Sequence, residues 1–172
     1  EPMRTTQYEI GFDRQFNDVA SFDITGFYRD VKGQIQVARQ DIASTAVNAE
    51  SFNYLQNGDF ATTKGLEFVF KVRRTNRLRT ELHYTLSDAR GTGSTTGSGI
   101  SGVENDTDLP TVISPLDFNE THRGSMYFDY RFGKNDGGAI LSQLGINTLF
   151  TFTSGHNFTF STGSLGQGGA ED

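Results

Sequence analysis

Between Thr63 and Ser87 apolar and polar residues alternate on two successive arms, and a period of two restricts this stretch to β-strands with one apolar and one polar face. On the first arm Leu66, Phe68, Phe70 and Val72 alternate with Gly65, Glu67, Val69 and Lys71. On the second, Leu78, Leu82, Tyr84 and Leu86 alternate with Arg79, Glu81, His83 and Thr85. A turn centred on Thr75 sets Phe68 opposite Leu82, Leu66 opposite Tyr84 and Glu67 opposite His83, and so keeps the two faces distinct. The apolar face of such a ribbon meets either a protein core or lipid.

The same period recurs along the chain. Tyr8, Ile10, Phe12 and Phe16 form the apolar side of a first strand, and Phe22, Ile24, Gly26 and Tyr28 that of a second. A three-residue loop, Asn17-Asp18-Val19, sets Phe12 opposite Ile24 and Tyr8 opposite Tyr28, whereas a two-residue turn would mix the faces. Residues 34 to 37 keep a strand-like pattern, but 31 to 50 as a whole reads as a connection far longer than a hairpin loop. Asn57-Gly58 interrupts a pattern that soon resumes in the same sense, which predicts a bulge in one long strand. The Gly- and Ser-rich stretch inside 88 to 116 reads as a surface loop. Met126, Phe128, Tyr130 and Phe132 mark a further strand, residues 133 to 138 a glycine-rich turn, and Leu144 to Phe152 a last strand.

Connection lengths therefore alternate. They are short at 17 to 19, 73 to 77 and 133 to 138, and long at 31 to 50, 88 to 116 and from 155 on. Six strands in up-and-down order place every short turn at one end, the habit of outer-membrane barrels, whose external loops are long. Tyr8, Tyr28, Tyr84 and Phe152 fall near the long-loop ends of the apolar face, and Phe16 and Phe132 near the short-turn ends, as interfacial girdles do. The composition agrees: 15 Phe, 6 Tyr and 20 Gly on a polar background suit a β protein with long turns. No apolar run approaches the ~18 residues of a membrane helix. The formal charge of −6 gives no basic excess for nucleic acid, and the lack of cysteine removes disulfides, thiolate chemistry and cysteine metal sites.

The fold expected is thus all-β, an antiparallel up-and-down transmembrane β-barrel segment of about six strands. Six strands are fewer than the ~8 of the smallest membrane barrels, and open edges in lipid are costly, so the remaining wall is expected from elsewhere. The first residues do not form a signal peptide, and the chain reads as an excerpt. Two rival readings keep the same strands: a passive porin or adhesin-type barrel, and a soluble β-sandwich binding module.

Several ordered pieces, QYEIGFDRQF (7 to 16), SFDITGFYRDVKGQI (21 to 35), NGDFATTKGLEF (57 to 68), LHYTLSDARG (82 to 91), SPLDFNETHRGSMYFDYRFG (114 to 133) and TFTSGHNFTF (151 to 160), resemble the barrel of TonB-dependent outer-membrane receptors. The likeness is to the C-terminal part of those that carry a carboxypeptidase-regulatory-like domain. It implies a barrel of about 22 strands around an N-terminal plug. It also implies import of a scarce nutrient such as a siderophore, glycan or peptide, energised by TonB, in the outer membrane. No plug, TonB-contacting box or terminal aromatic strand is evident, so the partners expected are outer-membrane lipid, the plug and remaining strands of the same protein, and TonB through that plug.

Candidate sites follow from charge and position. Asp117, Glu120 and His122, with His156, stand where long loops meet strands and are substrate-mouth or rim candidates; the spacing of the first three does not gather them on one strand face. Glu67, His83, Asp13 and Asp23 are lumen- or plug-facing candidates, with Glu67 set opposite His83 and Asp13 opposite Asp23. Arg73, Arg74, Arg77 and Arg79 cluster at a short turn, facing headgroups, plug or plain solvent. Glu104, Asn105, Asp106 and Asp108 lack the spacing of a calcium loop. No catalytic triad, phosphate loop, cofactor motif or metal-ligand set is present, and the chain is not expected to be an enzyme.

Overall fold

The computed structural model describes residues 2–42, 50–94 and 113–157. In chain order these form β1 (Arg4–Gln15), β2 (Ala20–Ile42), β3 (Glu50–Thr75), β4 (Leu78–Gly91), β5 (Ser114–Pro115), β6 (His122–Arg131), a one-turn helix α1 (Gly138–Leu141) and β7 (Gly145–Thr153). One antiparallel sheet takes them in the order β1-β2-β3-β4-β6-β7, with the two-residue β5 beside the end of β4. The six long strands thus run up and down, as their alternation requires.

The first hairpin has the expected register. Phe12 faces Ile24, Tyr8 faces Tyr28 and Asp13 faces Asp23. Asn17 closes the three-residue loop, its side-chain oxygen accepting from the amides of Val19 (2.9 Å) and Ala20 (3.0 Å).

The second hairpin departs from expectation. Its turn residues are Asn76 and Arg77, Asn76 is left-handed (φ 53°), and a register irregularity lies between Val72 and Thr75. Phe68 consequently faces Tyr84 and Leu66 faces Leu86. Glu67 faces Thr85, while His83 faces Val69, so the expected pairing of Glu67 with His83 is not formed. The slip is two residues. Because side chains alternate with a period of two, such a slip leaves every residue on its expected face.

Strand β2 runs further than expected. Residues 31 to 42, read as part of a long connection, continue the ladder from Gln34↔Asp59 to Ile42↔Glu50 along the strand expected on both sides of Asn57-Gly58. Gly33 (φ 70°) is the extra residue on β2 and Gly58 the extra residue on β3, so two opposed bulges cancel and the register resumes. The bulge expected at Asn57-Gly58 is therefore present. On the other side of the sheet the β6–β7 connection is longer than a glycine turn. Ala139, Ile140 and Leu141 wind into α1, and Phe132 donates its amide to Leu144 O (2.9 Å) before β7 begins.

Among the described residues no second layer buries the apolar face of the sheet. Among the described residues the buried hydrophobics are Ala38, Ala61, Ala89 and Leu116. Leu66, on a central strand with neighbours on both sides, remains 51% exposed, and Ile24, Tyr28 and Met126 are exposed as well. A soluble domain covers such a face with another sheet or helix.

The apolar band is bounded and oblique. On its face the first charged or ionisable residues at the long-connection end are Asp30 on β2, Lys64 on β3, Asp88 on β4 and His122 on β6. Following the ladder pairs, His122 lies four residues further from that end than Asp30 does, and at the other margin Phe132 is displaced from Phe16 by four residues in the same sense. Four residues are about 13 Å along a strand; three strand spacings are about 14 Å and four about 19 Å. Both margins are therefore inclined by about 35–45° to the perpendicular across the strands, which tilts the strands by the same angle from the normal to the band.

Candidate functional site

The face opposite the apolar band carries most of the charges; on the band side Arg14, paired with Phe22, lies over the Phe16 ring near the short-turn margin. Along the ladders the charged face presents Glu9, Asp13, Asp23, Glu67, Lys71, Arg79, Glu81, His83, Arg123, Asp129 and Arg131. They share a face because each strand alternates and the registers hold parity. Toward the short turns they form a network: Arg74 Nη2 lies 2.5 Å from Asp129 Oδ1, Arg131 Nε 3.6 Å from the same oxygen, and Arg79 Nη2 2.6 Å from Glu81 Oε1. Tyr127 Oη is 3.2 Å from Asp129 Oδ2 and stands beneath the Arg79 guanidinium. Asp129, 3% exposed, is thereby compensated on two sides. Arg77 pairs with Asp136 in the next connection. Of the arginine cluster read from the sequence, Arg74 reaches across β4 to Asp129 on β6, Arg77 pairs into the next connection and Arg79 pairs along its own strand.

His83 Nε2 has Glu81 Oε2 at 3.8 Å, two residues along its own strand, in place of the carboxylate expected across from it. Asp23 accepts from Thr25 Oγ1 (3.1 Å). A groove of about 590 Å³ opens on this side between the first two short turns, walled by Asp13, Ser21, Lys71, Arg73, Arg79 and Glu81.

At the long-connection end, residues 114 to 121 return along the free margin of β4. The amide of Leu116 donates to Ala89 O (3.0 Å), and the amide of Ala89 donates to Asn119 Oδ1 (2.8 Å). Ser87 adds two bonds, its amide to Thr121 O (3.0 Å) and its hydroxyl to Glu120 O (2.8 Å). Leu116, wholly buried, packs on Ala61 and Ala89 with Val31 beside them. Small residues at 61 and 89 make room for it on an otherwise charged face.

The rim candidates are not gathered into one centre. Glu120 Oε1 meets His156 Nε2 at 3.3 Å. His122 Nδ1 is 2.8 Å from Tyr84 Oη, on the apolar face, where Tyr84 also stacks with Phe152. Tyr84 itself lies inside the band rather than at its margin. The Asp117 amide donates to Ser94 Oγ (2.9 Å). Asp59, absent from the sequence reading, lies beyond the band on the β3 extension and is 7% exposed. Burial pushes its carboxyl above the ordinary aspartate range, opposed by the hydrogen bond that Thr92 Oγ1 donates (2.8 Å). Among the described residues no three metal-ligating side chains converge. Residues 104 to 108 lie outside the described residues.

This arrangement holds a wall and offers polar surface along one side and one end. Comparison with curated proteins and with solved structures returns no match. The family model described as TonB dependent receptor-like, beta-barrel matches residues 1–170. The apolar band, the charged face and that match agree: the chain belongs to the β-barrel family of TonB-dependent receptors, outer-membrane transport proteins.

Proposed function

We propose that the chain is a section of the wall of an outer-membrane transporter that imports a scarce nutrient, such as a siderophore, glycan or peptide, with energy delivered through TonB. The apolar band meets lipid. The charged face lines the lumen and meets the plug of the same protein, and the connections at 31 to 50, 88 to 116 and from 155 on contribute to the external mouth. Within the family the sequence motifs favour the group that carries a carboxypeptidase-regulatory-like domain. Asp13, Asp23, Glu67 and His83 are plug- or lumen-facing, and Asp117, Glu120, His122 and His156 belong to the mouth.

The observation that supports this most is the oblique band. A soluble sheet has no reason to tilt its apolar margins against its strands, whereas bilayer-spanning strands tilt by about 35–45°. Its height is consistent too. Tyr8 to Phe16 spans about 27 Å of strand, or about 21 Å along the membrane normal at a tilt of 40°, against an apolar belt of about 25 Å.

Import is tested with the full-length protein as the sole route for a candidate nutrient. Uptake that disappears on deleting TonB supports energised transport. Uptake that persists without TonB overturns it in favour of a passive pore.

A further inference from the structure

The apolar band holds a groove about 510 Å³ in volume where Gly26, lacking a side chain, lies between Ile10 and Leu66. Tyr8 and Tyr28, directly opposite one another, wall it toward the external margin, and Lys64 faces Tyr28 from the next strand. A Cβ built on Gly26 would make only ordinary contacts, 3.5 Å from Leu66 Cδ2 and 3.8 Å from Ile10 Cγ2. Glycine is thus not required by the backbone there, and its effect is to leave the groove open.

Beyond the tyrosines the same face turns cationic. Arg4 stands directly opposite Lys32, a like-charge pair that costs stability unless an anion lies between them. Around them Arg4, Lys32, Lys64 and Arg90 outnumber Asp30 and Asp88. Lys32 and Lys64 remain well exposed, with only Asp30 (3.3 Å) and a loose contact to Asp88 (3.9 Å). Lys64 and the Arg4–Lys32 pair are separated by four residues of strand, about 13 Å.

We infer that this surface is a binding site for a phosphorylated glycolipid of the outer leaflet. One acyl chain lies in the Gly26 groove between Tyr8 and Tyr28. Headgroup phosphates pair with Lys64 and with Arg4 and Lys32, which relieves the like-charge pair. The tyrosines fit the level between chain and headgroup, where amphipathic rings settle. An apolar groove closed by cations at one end and tyrosines at its neck matches a lipid with anionic headgroup better than a uniform hydrocarbon contact.

The inference rests on the membrane reading above, and its test separates the two. The full-length protein is placed in phosphatidylcholine nanodiscs containing diphosphorylated lipopolysaccharide or its dephosphorylated form, and bound glycolipid is counted by native mass spectrometry. Lys32→Gln and Lys64→Gln should each lower retention of the phosphorylated form about fivefold, the equivalent of about 1 kcal/mol per cation at a membrane surface. Neither should alter retention of the dephosphorylated form. Gly26→Leu should reduce both, and Lys134→Gln, in the connection at the opposite end, should reduce neither. Unchanged retention in the lysine variants, or equal loss in Lys134→Gln, overturns the site. Heat-dependent gel mobility of each variant reports the folded barrel separately: a protein that never shows it contradicts the membrane reading, whereas folded variants with unaltered lipid retention contradict the lipid site alone.

Discussion

Phe68→Arg puts a charge at the place where the account requires hydrocarbon. Phe68 lies four residues from Lys64 at one margin of the band and five from Arg73 beyond the other, on a central strand between Ile24 and Tyr84. Four residues are about 13 Å of strand, or about 10 Å of depth at a tilt of 40°, so the side chain sits near the middle of a belt about 25 Å tall. Arginine near the midplane costs ~2 to 4 kcal/mol, falling to about 0 to 1 at the interface. The stacking of Phe68 with Phe22, centroids 6.5 Å apart, is lost as well. On a water-facing sheet the same change would be worth about 0.5 kcal/mol. The assay is reversible denaturant unfolding of the full-length protein in lipid, with Glu67→Gln as the neighbouring control on the other face. The expected result is a lower midpoint at unchanged m for Phe68→Arg and a shift within about 0.5 kcal/mol for Glu67→Gln. Equal shifts in the two variants would refute the assignment of faces.

Three further outcomes are expected. Gly65→Ala should destabilise by about 1 to 3 kcal/mol in the same unfolding assay, because its Cβ would fall 2.3 Å from Leu86 O and 2.7 Å from Phe27 Cζ, while Gly26→Ala should be tolerated. Asn119→Ala strips the buried Ala89 amide of its acceptor and should cost about 1 to 3 kcal/mol, read as faster hydrogen exchange at Ala89 and easier proteolysis near residue 116. Asp59 has a folded pKa above its ordinary 3.8, so the folded state holds the extra proton and stability falls as pH rises through the window that opens at 3.8. The protection factors of Phe60 and Thr92, with the intrinsic pH dependence of exchange divided out, should therefore fall across that window, and Asp59→Asn should flatten the dependence; a slope of the opposite sign would contradict the burial argument.

Faces were legible in the sequence where registers were not. The first hairpin could be placed because Phe12, Ile24, Tyr8 and Tyr28 keep their faces only with an odd loop length, and the common three-residue loop is the one observed. In the second hairpin, slips of two residues leave the alternation untouched, so Glu67 opposite His83 and Glu67 opposite Thr85 are equally good patterns. The choice is made by Asn76, left-handed at the turn, and by the irregularity after Val72, which are local backbone preferences rather than periodicity. The extension of β2 was missed for a different reason. Among the described residues the ribbon beyond Gly33 and Gly58 pairs only with itself, and of residues 34 to 40 Ala38 alone is buried, so no continuous buried face imposes alternation there. Candidate site residues fared similarly. Their faces followed from parity, but Glu120 meeting His156, and His122 meeting Tyr84, depend on how 114 to 121 returns along β4, which no periodic signal encodes.

The most direct test of the central claim is an environment scan along β3. The chain has no cysteine, so single cysteines at positions 66 to 71 of the full-length protein can each carry an environment-sensitive fluorophore without competition from this region. In lipid bilayers containing a chain-linked quencher, labels at Leu66, Phe68 and Phe70 should be strongly quenched and those at Glu67, Val69 and Lys71 weakly, a period of two across six residues. Quenching without that alternation, or strongest at the odd positions, would contradict a lipid-facing apolar band and with it the assignment of this sheet to a membrane wall.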